Sequence, residues 1–375
     1  MDDISPSAGK GGQKAAFVAV AGRPSAGKST LINLLCGEKV SIVSPAPQTT
    51  RNAIRGMVNR EQGQLVLVDT PGIHISEKKF NLRLAETAVR ALGESDLVLY
   101  VLDASRAPGP EEEAVAAALA SRVSAAAGPA HAAGPAHAAA AAAAAAAPAA
   151  GPAESGPPAS GAAPTVIAAV NKMDLPGADY GRARDFLRLA LPALPDRCCF
   201  PVSAKKNEGV KALLDKLFEL APCGQPFYPA EYYTDQEIDF RIAEIIRGEA
   251  INRLRQELPH AIYVEVADRE FRSAPPADKG PADKGPAGKG PAAGKGPAAG
   301  KGPEKLWVRA FILCERESQK GMIVGKGGTL IKAIGEAARK ELNRIFGWKV
   351  ELDLRVRTGK DWRHNDGLLR KIIER

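Results

Sequence analysis

The chain has 375 residues, 45% of them hydrophobic and 25% charged, with a formal net charge of +8. This length accommodates two domains with cores of their own, and no apolar run approaches the roughly 18 residues of a membrane span. The first 14 residues have no apolar centre, which disfavours a secretory signal, and five cysteines without zinc-type pairing favour a reducing compartment.

The first motif in chain order is a phosphate loop. Residues 22–29 (GRPSAGKS) fit the pattern G-x-x-x-x-G-K-[ST]. They follow a short apolar run, residues 16–21, that is typical of a buried parallel strand, and they precede helical spacing of apolar residues over 29–35. Such a loop turns backbone N–H groups towards a β-phosphate, and the helix directs its positive end there. We therefore expect Lys28 to reach the β- and γ-phosphates and Ser29 to bind Mg²⁺. The alternative is an ordinary glycine-rich turn.

A second apolar run, residues 65–68, ends in the sequence DTPG of residues 69–72. Ligands of doubly wound sheets bind at the carboxyl ends of the strands, so Asp69 is a candidate to hold Mg²⁺ through a water. The N–H group of Gly72 is a candidate to contact the γ-phosphate, which predicts a loop sensitive to hydrolysis. We also expect Thr50, with Thr49 beside it, to be a Mg²⁺ ligand that senses the γ-phosphate. A simple turn is the alternative for DTPG.

Two further segments indicate recognition of guanine. The sequence NKMD of residues 171–174 follows the predicted strand 166–170, and SAK of residues 203–205 follows the extended run 199–202. The Asp174 carboxylate can accept hydrogen bonds from guanine N1–H and the 2-amino group, a donor pair that adenine lacks. The stem of Lys172 can lie over the base, and the SAK loop can offer a backbone N–H to O6. On its own, SAK is a weak signal.

The last third of the chain predicts binding to nucleic acid. Residues 304–375 contain 17 Lys and Arg against 10 Asp and Glu, and a basic surface attracts a phosphate backbone. The sequence GKGG of residues 325–328 fits the GXXG loop with which KH domains clamp a single strand. A predicted helix over 238–258, one or two helices over 329–346, and extended segments over 261–266, 307–314 and 350–357 indicate the order α-β-β-α-α-β. A solvated basic surface with a glycine-rich helix start is the alternative.

These motifs together resemble the Era family of ribosome-assembly GTPases, within the translation-factor-related class. The resemblance covers nearly the whole chain except a tail and two insertions, and it is carried by SPAPQTTR (44–51), DTPGIH (69–74), FYP (227–229), EIIR (244–247), ERESQKG (315–321) and MIVGKGG (322–328). It implies an α/β P-loop GTPase domain with a doubly wound, mostly parallel sheet, followed by an α+β KH domain of type II.

The resemblance also implies function and partners. It implies a slow GTPase that binds GTP and GDP with Mg²⁺, binds the 3′ end of small-subunit ribosomal RNA, and assists assembly of a 30S-type particle. A cytoplasmic monomer with peripheral contact to the inner membrane is implied as well. The expected catalytic residues are Lys28, Thr50, Asp69 and Gly72. The expected nucleotide-binding residues are Gly22, Ser25, Ala26, Gly27, Lys28, Ser29, Thr30, Thr49, Asp69, Gly72, Asn171, Lys172, Asp174, Ser203, Ala204 and Lys205. The expected RNA-binding residues are Lys320, Gly325, Lys326, Gly327, Gly328 and Lys332.

Three positions qualify the expected catalysis. Ile73 stands where Ras has a water-orienting Gln, so another group must orient the water. Ser25 stands where many relatives have an Asn that accompanies K⁺, which puts K⁺ stimulation in doubt. His74 is interpreted as a switch-loop residue rather than a catalytic one.

The predicted organisation is a tail (1–14), a GTPase domain (15–222), a linker (223–237) and a KH domain (238–375). Each domain carries a low-complexity insertion, Ala/Gly/Pro-rich over about 123–163 and Lys-Gly-Pro-Ala over about 273–303, and neither composition favours a packed element. Two other functions stay open: an RNA-binding module that binds GTP with negligible turnover, and a GTPase whose KH-like domain binds protein.

Overall fold

A computed structural model describes residues 12–44, 50, 52–72, 88, 90–125, 165–255, 258–272 and 305–359. Residues 1–11 of the tail, Thr49, Ile73, His74, all but the start of the first insertion, the whole second insertion and the end of the chain after residue 359 lie outside the described residues.

The first sheet has six strands in the order β2-β3-β1-β4-β5-β6. Its β2 runs antiparallel to β3, and the other neighbours are parallel. The strands are β1 (Lys14–Ala21), β2 (Ile54–Arg60), β3 (Gly63–Asp69), β4 (Leu97–Asp103), β5 (Thr165–Asn171) and β6 (Cys199–Pro201). The helices are α1 (Lys28–Cys36), α2 (Pro110–Ala125), α3 (Tyr180–Ala190) and α4 (Val210–Leu220).

Helices cover both faces of this sheet, as the predicted doubly wound arrangement requires. Alternate residues of β1 belong to two separate apolar clusters, because successive side chains of a strand point to opposite faces. Val18 and Val20 pack in the cluster that includes α1 and α4, and Ala19 and Ala21 pack in the cluster that includes α2 and α3. Strands covered on both faces are almost continuously apolar, which is why their apolar runs predict β1 and β3.

The second sheet has three strands, with β7 antiparallel to β8 and β8 parallel to β9. The elements are α5 (Ile238–Ile251), α6 (Leu258–Ala261), β7 (Tyr263–Arg272), β8 (Lys305–Cys314), α7 (Glu317–Val324), α8 (Thr329–Phe346) and β9 (Lys349–Thr358). Because the short α6 only leads into β7, the order is the predicted α-β-β-α-α-β of a type II KH domain. Residues 329–346 form one helix, and the first helix of the α-α pair is α7, which was not predicted from the sequence. One face of the sheet packs on α5 and α8 around Ile242, Ile246 and Leu342, all fully buried.

Several predicted boundaries differ from the structure. The helix expected over 238–258 ends at Ile251, because the chain turns at Asn252 and the N–H groups of Arg253 and Leu254 both donate to Ala250. The extended segment expected from residue 261 begins at Tyr263. Lys14 belongs to β1 rather than to the tail.

The segment predicted as a linker packs against the edge of the first sheet. The Thr234 hydroxyl donates to the carbonyl of Arg55 at 2.8 Å, and Met57 N–H donates to the carbonyl of Tyr233 at 3.0 Å. The Gln64 side chain accepts from the N–H groups of Phe227 and Tyr228 at 2.8 and 2.9 Å. This segment therefore fixes the path of the chain between the two sheets.

Candidate functional site

The phosphate-loop residues connect β1 to the start of α1. Gly27 has φ 97°, and a Cβ there would lie 2.3 Å from the Asn171 side-chain nitrogen, so glycine is required at this close approach. Ala26 is buried, Ser25 is exposed, and Thr30 is half-buried in the first turn of α1. The loop thus has the strand-loop-helix setting that the motif requires.

The Lys28 ammonium points into this loop. It donates to the carbonyls of Gly22 and Arg23, both at 3.0 Å, and the residue is 6% exposed. Burial lowers the pKa of Lys28 to about 8, although the nearby Asp69 carboxylate opposes the shift. A buried cation held only by neutral carbonyls is suited to a negatively charged ligand.

Three oxygen-bearing side chains predicted to hold Mg²⁺ meet at one point. The Ser29 hydroxyl donates to Asp69 Oδ2 at 2.9 Å, the Thr50 hydroxyl donates to the same oxygen at 3.1 Å, and the two hydroxyl oxygens are 3.2 Å apart. Asp69 is fully buried, and burial raises its pKa against the opposing effect of Lys28 and the hydroxyls.

This oxygen cluster fits a magnesium ion. Asp69 Oδ1 is buried without a hydrogen-bond partner among the described residues. Mg²⁺ takes oxygen ligands, and it usually binds one or two protein groups together with waters and substrate phosphates. The donor set here is one carboxylate with two hydroxyls, the type that holds a nucleotide-bound ion.

The loop after Asp69 lies against the phosphate loop. The Thr70 hydroxyl donates to the carbonyl of Val20 at 2.9 Å. A Cβ on Gly72 would lie 2.8 Å from the backbone nitrogen of Pro24. Gly72 is therefore placed beside the loop that the sequence predicts to hold phosphates.

The predicted base-recognition residues are joined to the phosphate loop by Asn171. Its side-chain amide donates to the carbonyl of Ala26 at 2.9 Å, and its oxygen accepts from Ala204 N–H at 3.0 Å. The Asp174 carboxylate accepts from the Ser203 hydroxyl at 2.7 Å, and this bond lowers the pKa of Asp174. Asn171 thus holds the two ends of the expected site together.

The SAK loop differs in detail from the expectation of a backbone donor to guanine. Ser203 N–H donates to the carbonyl of Glu208 at 2.9 Å, and Ala204 N–H is taken by Asn171. Both N–H groups are therefore engaged within the protein in this conformation, while Lys205 is exposed.

Sequence reasoning missed three charged residues beside these loops. Arg23 forms ion pairs with Asp103, at the end of β4, and with Glu112 of α2. Asp103 in turn binds the Lys172 ammonium at 2.8 Å. Arg23 occupies a variable position of the phosphate-loop pattern, and Asp103 ends an apolar strand as Asp69 does, which is the signal that could have indicated it.

The GXXG segment joins α7 to α8 at the surface of the second sheet's domain. Gly325, Gly327 and Gly328 have φ of 74°, 61° and 77°. A Cβ on Gly325 would lie 2.8 Å from the Cβ of Leu330, whereas Gly327 and Gly328 face open space. Lys326 and Lys332 are exposed. Lys320 is half-buried and ion-paired with Glu317 at 2.8 Å, so it is the least available of the predicted RNA ligands.

The fold and these two sites define a class of protein, a P-loop GTPase domain joined to a KH domain. Residues 17–127 match the family described as 50S ribosome-binding GTPase, and residues 295–363 match the KH domain family.

Whole-chain comparisons give the particular family. The chain is 41% identical to GTPase Era of Treponema denticola over 95% of its own length and 98% of the relative's. It is 35% identical to GTPase Era of Borreliella burgdorferi, with 96% and 99% covered. A crystal structure of Aquifex aeolicus Era bound to GDP and AlF4⁻ matches with a TM-score of 0.72 at 27% identity, covering 96% of this chain and 99% of that one. The chain belongs to the Era family, and it is a GTPase.

A second solved structure, of Era in complex with MgGDPNP and nucleotides 1506–1542 of 16S ribosomal RNA, matches with the same TM-score of 0.72 and 27% identity, over 96% of this chain and 98% of that one. The predicted family, fold class and enzyme class are confirmed.

Proposed function

We propose that the chain is a GTP-driven switch in which hydrolysis in the first domain is coupled to binding of single-stranded RNA by the KH domain during assembly of the small ribosomal subunit. The observation that carries the proposal is the occurrence, in one chain, of the Ser29–Thr50–Asp69 oxygen cluster and an open GXXG loop. The Era complex with MgGDPNP and 16S ribosomal RNA supports the same pairing of ligands.

The nucleotide-site residues are proposed to divide the work as follows. A bound phosphate would replace the two carbonyls that now hold Lys28. Ser29 and Thr50 would ligate Mg²⁺, and Asp69 would hold it through a water. The ion, when bound, supplies charge that neutralises the phosphates during transfer. Gly72 would contact the γ-phosphate.

The base end of the site has a parallel division. Asp174 would accept hydrogen bonds from guanine, and the stem of Lys172 would lie over the ring. Asn171 would keep the base loop and phosphate loop in register, as its bonds to Ala26 and Ala204 already do. Because Ile73 replaces a water-orienting Gln, we expect a slow intrinsic rate.

The RNA ligand is proposed to be the 3′ end of small-subunit ribosomal RNA. Gly327 and Gly328 leave the loop surface free for a phosphate backbone to approach, and Lys326 and Lys332 are exposed near it. Basic side chains around a glycine loop suit clamping of a single strand. The open glycine loop and the exposed lysines favour RNA as the ligand over the alternative of a protein-binding KH-like domain.

Several finer expectations stay predictions. They are a Mg²⁺ requirement, doubtful K⁺ stimulation because Ser25 stands at the Asn position, a monomeric state, a cytoplasmic location, and peripheral contact with the inner membrane. Among the helices of the described ranges, none is long and apolar enough to cross a bilayer. The predicted domain limits also stay predictions.

The guanine assignment is tested with Asp174→Asn. Replacing an acceptor by an amide should shift preference from GDP to xanthosine diphosphate, since a charge-assisted pair is worth about 1.5–3 kcal/mol. Asp185→Asn, on the exposed side of α3, is the matched control and should bind GDP normally. Competition against a fluorescent nucleotide measures both affinities. Unchanged GDP affinity in Asp174→Asn would show that the base is read elsewhere.

The coupling is tested by single-turnover GTP hydrolysis with and without a pyrimidine-rich single strand. The proposal expects the RNA to change the rate, and a full-length Gly327→Asp variant to lose that response while keeping the RNA-free rate. Negligible hydrolysis in both conditions would favour the module with negligible turnover, and filter binding of the strand at two salt concentrations separates RNA binding from protein binding.

A further inference from the structure

One buried carboxylate lies between the two loops that are proposed to hold opposite ends of the nucleotide. Asp103, the last residue of β4, is 4% exposed. Its Oδ2 accepts from Arg23 Nη2 at 2.5 Å and from Lys172 Nζ at 2.8 Å. Its Oδ1 accepts from the N–H and the hydroxyl of Ser105, at 3.0 and 2.6 Å. Both oxygens of Asp103 are thus fully engaged.

The Arg23 side of this contact belongs to the phosphate loop. The Arg23 side chain is 2% exposed, pairs with Glu112 as well as with Asp103, and donates to the carbonyl of Pro24 at 3.2 Å. Its own carbonyl accepts from the Lys28 ammonium. Asp103 and Glu112 therefore fix the Arg23 side chain and with it this part of the phosphate loop. The position of Arg23 in turn places the carbonyl that accepts from Lys28.

The Lys172 side belongs to the base-recognition loop. Lys172 has φ 65°, an uncommon backbone conformation for a residue with a side chain. Its ammonium reaches back to Asp103, so its aliphatic stem is anchored at both ends. A long side chain held in this way loses little freedom when a base stacks on it.

The charges around Asp103 make this arrangement sensitive to neutralisation. Burial acts to raise the pKa of Asp103, but hydrogen bonds from Lys172 and Ser105 hold it below the usual range. Removing one partner of a buried pair leaves uncompensated charge. An uncharged residue at this position would leave Arg23 and Lys172 as neighbouring cations, with the exposed Arg106, now 3.8 Å from Asp103 Oδ2, as a third. Glu112 would be the remaining anion on the Arg23 side.

We propose that Asp103 is a positioning residue for guanine-nucleotide binding. Its carboxylate binds Lys172 of the base-recognition loop and Arg23 of the phosphate loop at the same time, and so fixes the two loops relative to each other. The proposal rests on the nucleotide site described above. It requires no contact between Asp103 and the nucleotide.

The test is a double-mutant cycle on GDP affinity with the full-length chain. Asp103→Asn and Lys172→Met each remove the ion pair, and the methionine keeps an aliphatic stem. Each is expected to weaken GDP binding about tenfold, a loss of about 1.4 kcal/mol. The double variant is expected to bind no more weakly than the weaker single variant, because both changes break the same contact.

Asp96→Asn is the matched control at the other end of β4. Its carboxylate accepts from Phe17 N–H at 2.8 Å, so it is also an anchored carboxylate of the sheet, and its loss should leave GDP affinity unchanged. A merely structural role for Asp103 predicts a lower melting temperature with normal GDP affinity in the folded protein, and that result would overturn the proposal. Strictly additive losses would overturn it too.

If Asp103→Asn fails to fold, Lys172→Met decides, since normal GDP affinity in that variant contradicts the anchored-stem argument. Failure of the nucleotide site itself is recognised separately. In that case Lys28→Ala and Asp174→Asn would also leave GDP affinity unchanged, whereas the positioning proposal fails alone if those two variants lose binding and Asp103→Asn does not.

Discussion

Raising the pH from 7 to 8.5 should weaken nucleotide binding, because Lys28 loses its proton in the free protein. Burial lowers the pKa of Lys28 to about 8 from its ordinary 10.5. A bound phosphate favours the charged form of Lys28 and therefore raises its pKa. Since binding requires the ammonium, affinity falls as pH rises through the pKa of the free protein.

The size of the effect follows from that pKa. With a value of about 8, about nine-tenths of the Lys28 side chains are protonated at pH 7 and about a quarter at pH 8.5. The dissociation constant of GDP should therefore rise about fourfold over this range, or about 0.8 kcal/mol. At pH 8.0 binding should take up about half a proton per nucleotide.

Calorimetry of GDP binding at pH 8.0, in two buffers with different ionisation enthalpies, measures the proton uptake directly. Lys28→Ala is the control, with affinity taken by competition where its binding is too weak for calorimetry. It should bind weakly and without this pH dependence, whereas ionisation of the guanine affects both proteins equally. Equal heats in the two buffers for the unaltered chain would refute the argument that burial of Lys28 controls its proton.

Three further predictions address the rest of the chain. Gly327→Asp should weaken binding of a pyrimidine-rich strand at least tenfold, about 1.4 kcal/mol, with normal thermal melting, whereas Gly321→Asp, also facing open space, should bind as the unaltered chain does in filter binding. Removing most of residues 126–161 or 274–302 should leave GTP turnover nearly unchanged, since loop-closure entropy varies only with the logarithm of length, and a large fall in steady-state turnover would contradict this. The Arg344 and Lys39 side chains lower the pKa of Glu341 from 4.5 to about 2. The ionised carboxylate should therefore stabilise the folded protein fully above pH 4.5, and this stabilisation should fade as the pH falls towards 2. In urea unfolding, Glu341→Gln should lose less stability on acidification than the unaltered chain, and an equal loss would count against the contact.

The setting of the phosphate loop and the meeting of Ser29 with Asp69 were predictable because their signals are local. The apolar run of β1, the glycines and the helical spacing of α1 are contiguous, and motif spacing alone placed Ser29 and Asp69 at meeting loops. Strand β2 gave no comparable signal. It is an edge strand with Gly56 near the middle and arginines at positions 55 and 60, and its pairing with β3 is what makes it a strand.

Whereas β2 was not predicted at all, the helix predicted over 238–258 was predicted too long, since it ends at Ile251. Apolar residues continue beyond Ile251, since Leu254 and Leu258 also pack in the core of that domain. Periodicity therefore did not reveal the turn at Asn252. The position of Asp103 at the end of an apolar strand was a signal, but its contacts were not predictable. Its partners Arg23 and Lys172 lie 80 and 69 residues away, and a contact at that separation leaves no pattern in a single sequence.

The contact between the domains depends on the same kind of distant pairing. Asn33 of α1 accepts from the N–H groups of Val40 and Ser41, both at 2.8 Å, and fixes the segment that leads towards Thr50. The KH domain and the linker segment before it hold this segment from the other side. Lys39 pairs with Glu341 of α8 at 2.9 Å, and Gln236 donates to the carbonyl of Val40 at 3.1 Å.

One point of this contact is closely packed, and it lies beside a small cavity lined by Lys39, Gln236 and Glu244. Gly248 of α5 lies against Ile42, so that a Cβ on Gly248 would be only 3.2 Å from the Ile42 side chain. Close-packed interfaces tend to hold discrete arrangements rather than to deform continuously. Thr50, which contacts Asp69, follows Ile42 by eight residues in the sequence. The contact between Ile42 and Gly248 therefore fixes the chain at a point eight residues before Thr50, and α5 of the KH domain supplies half of that contact.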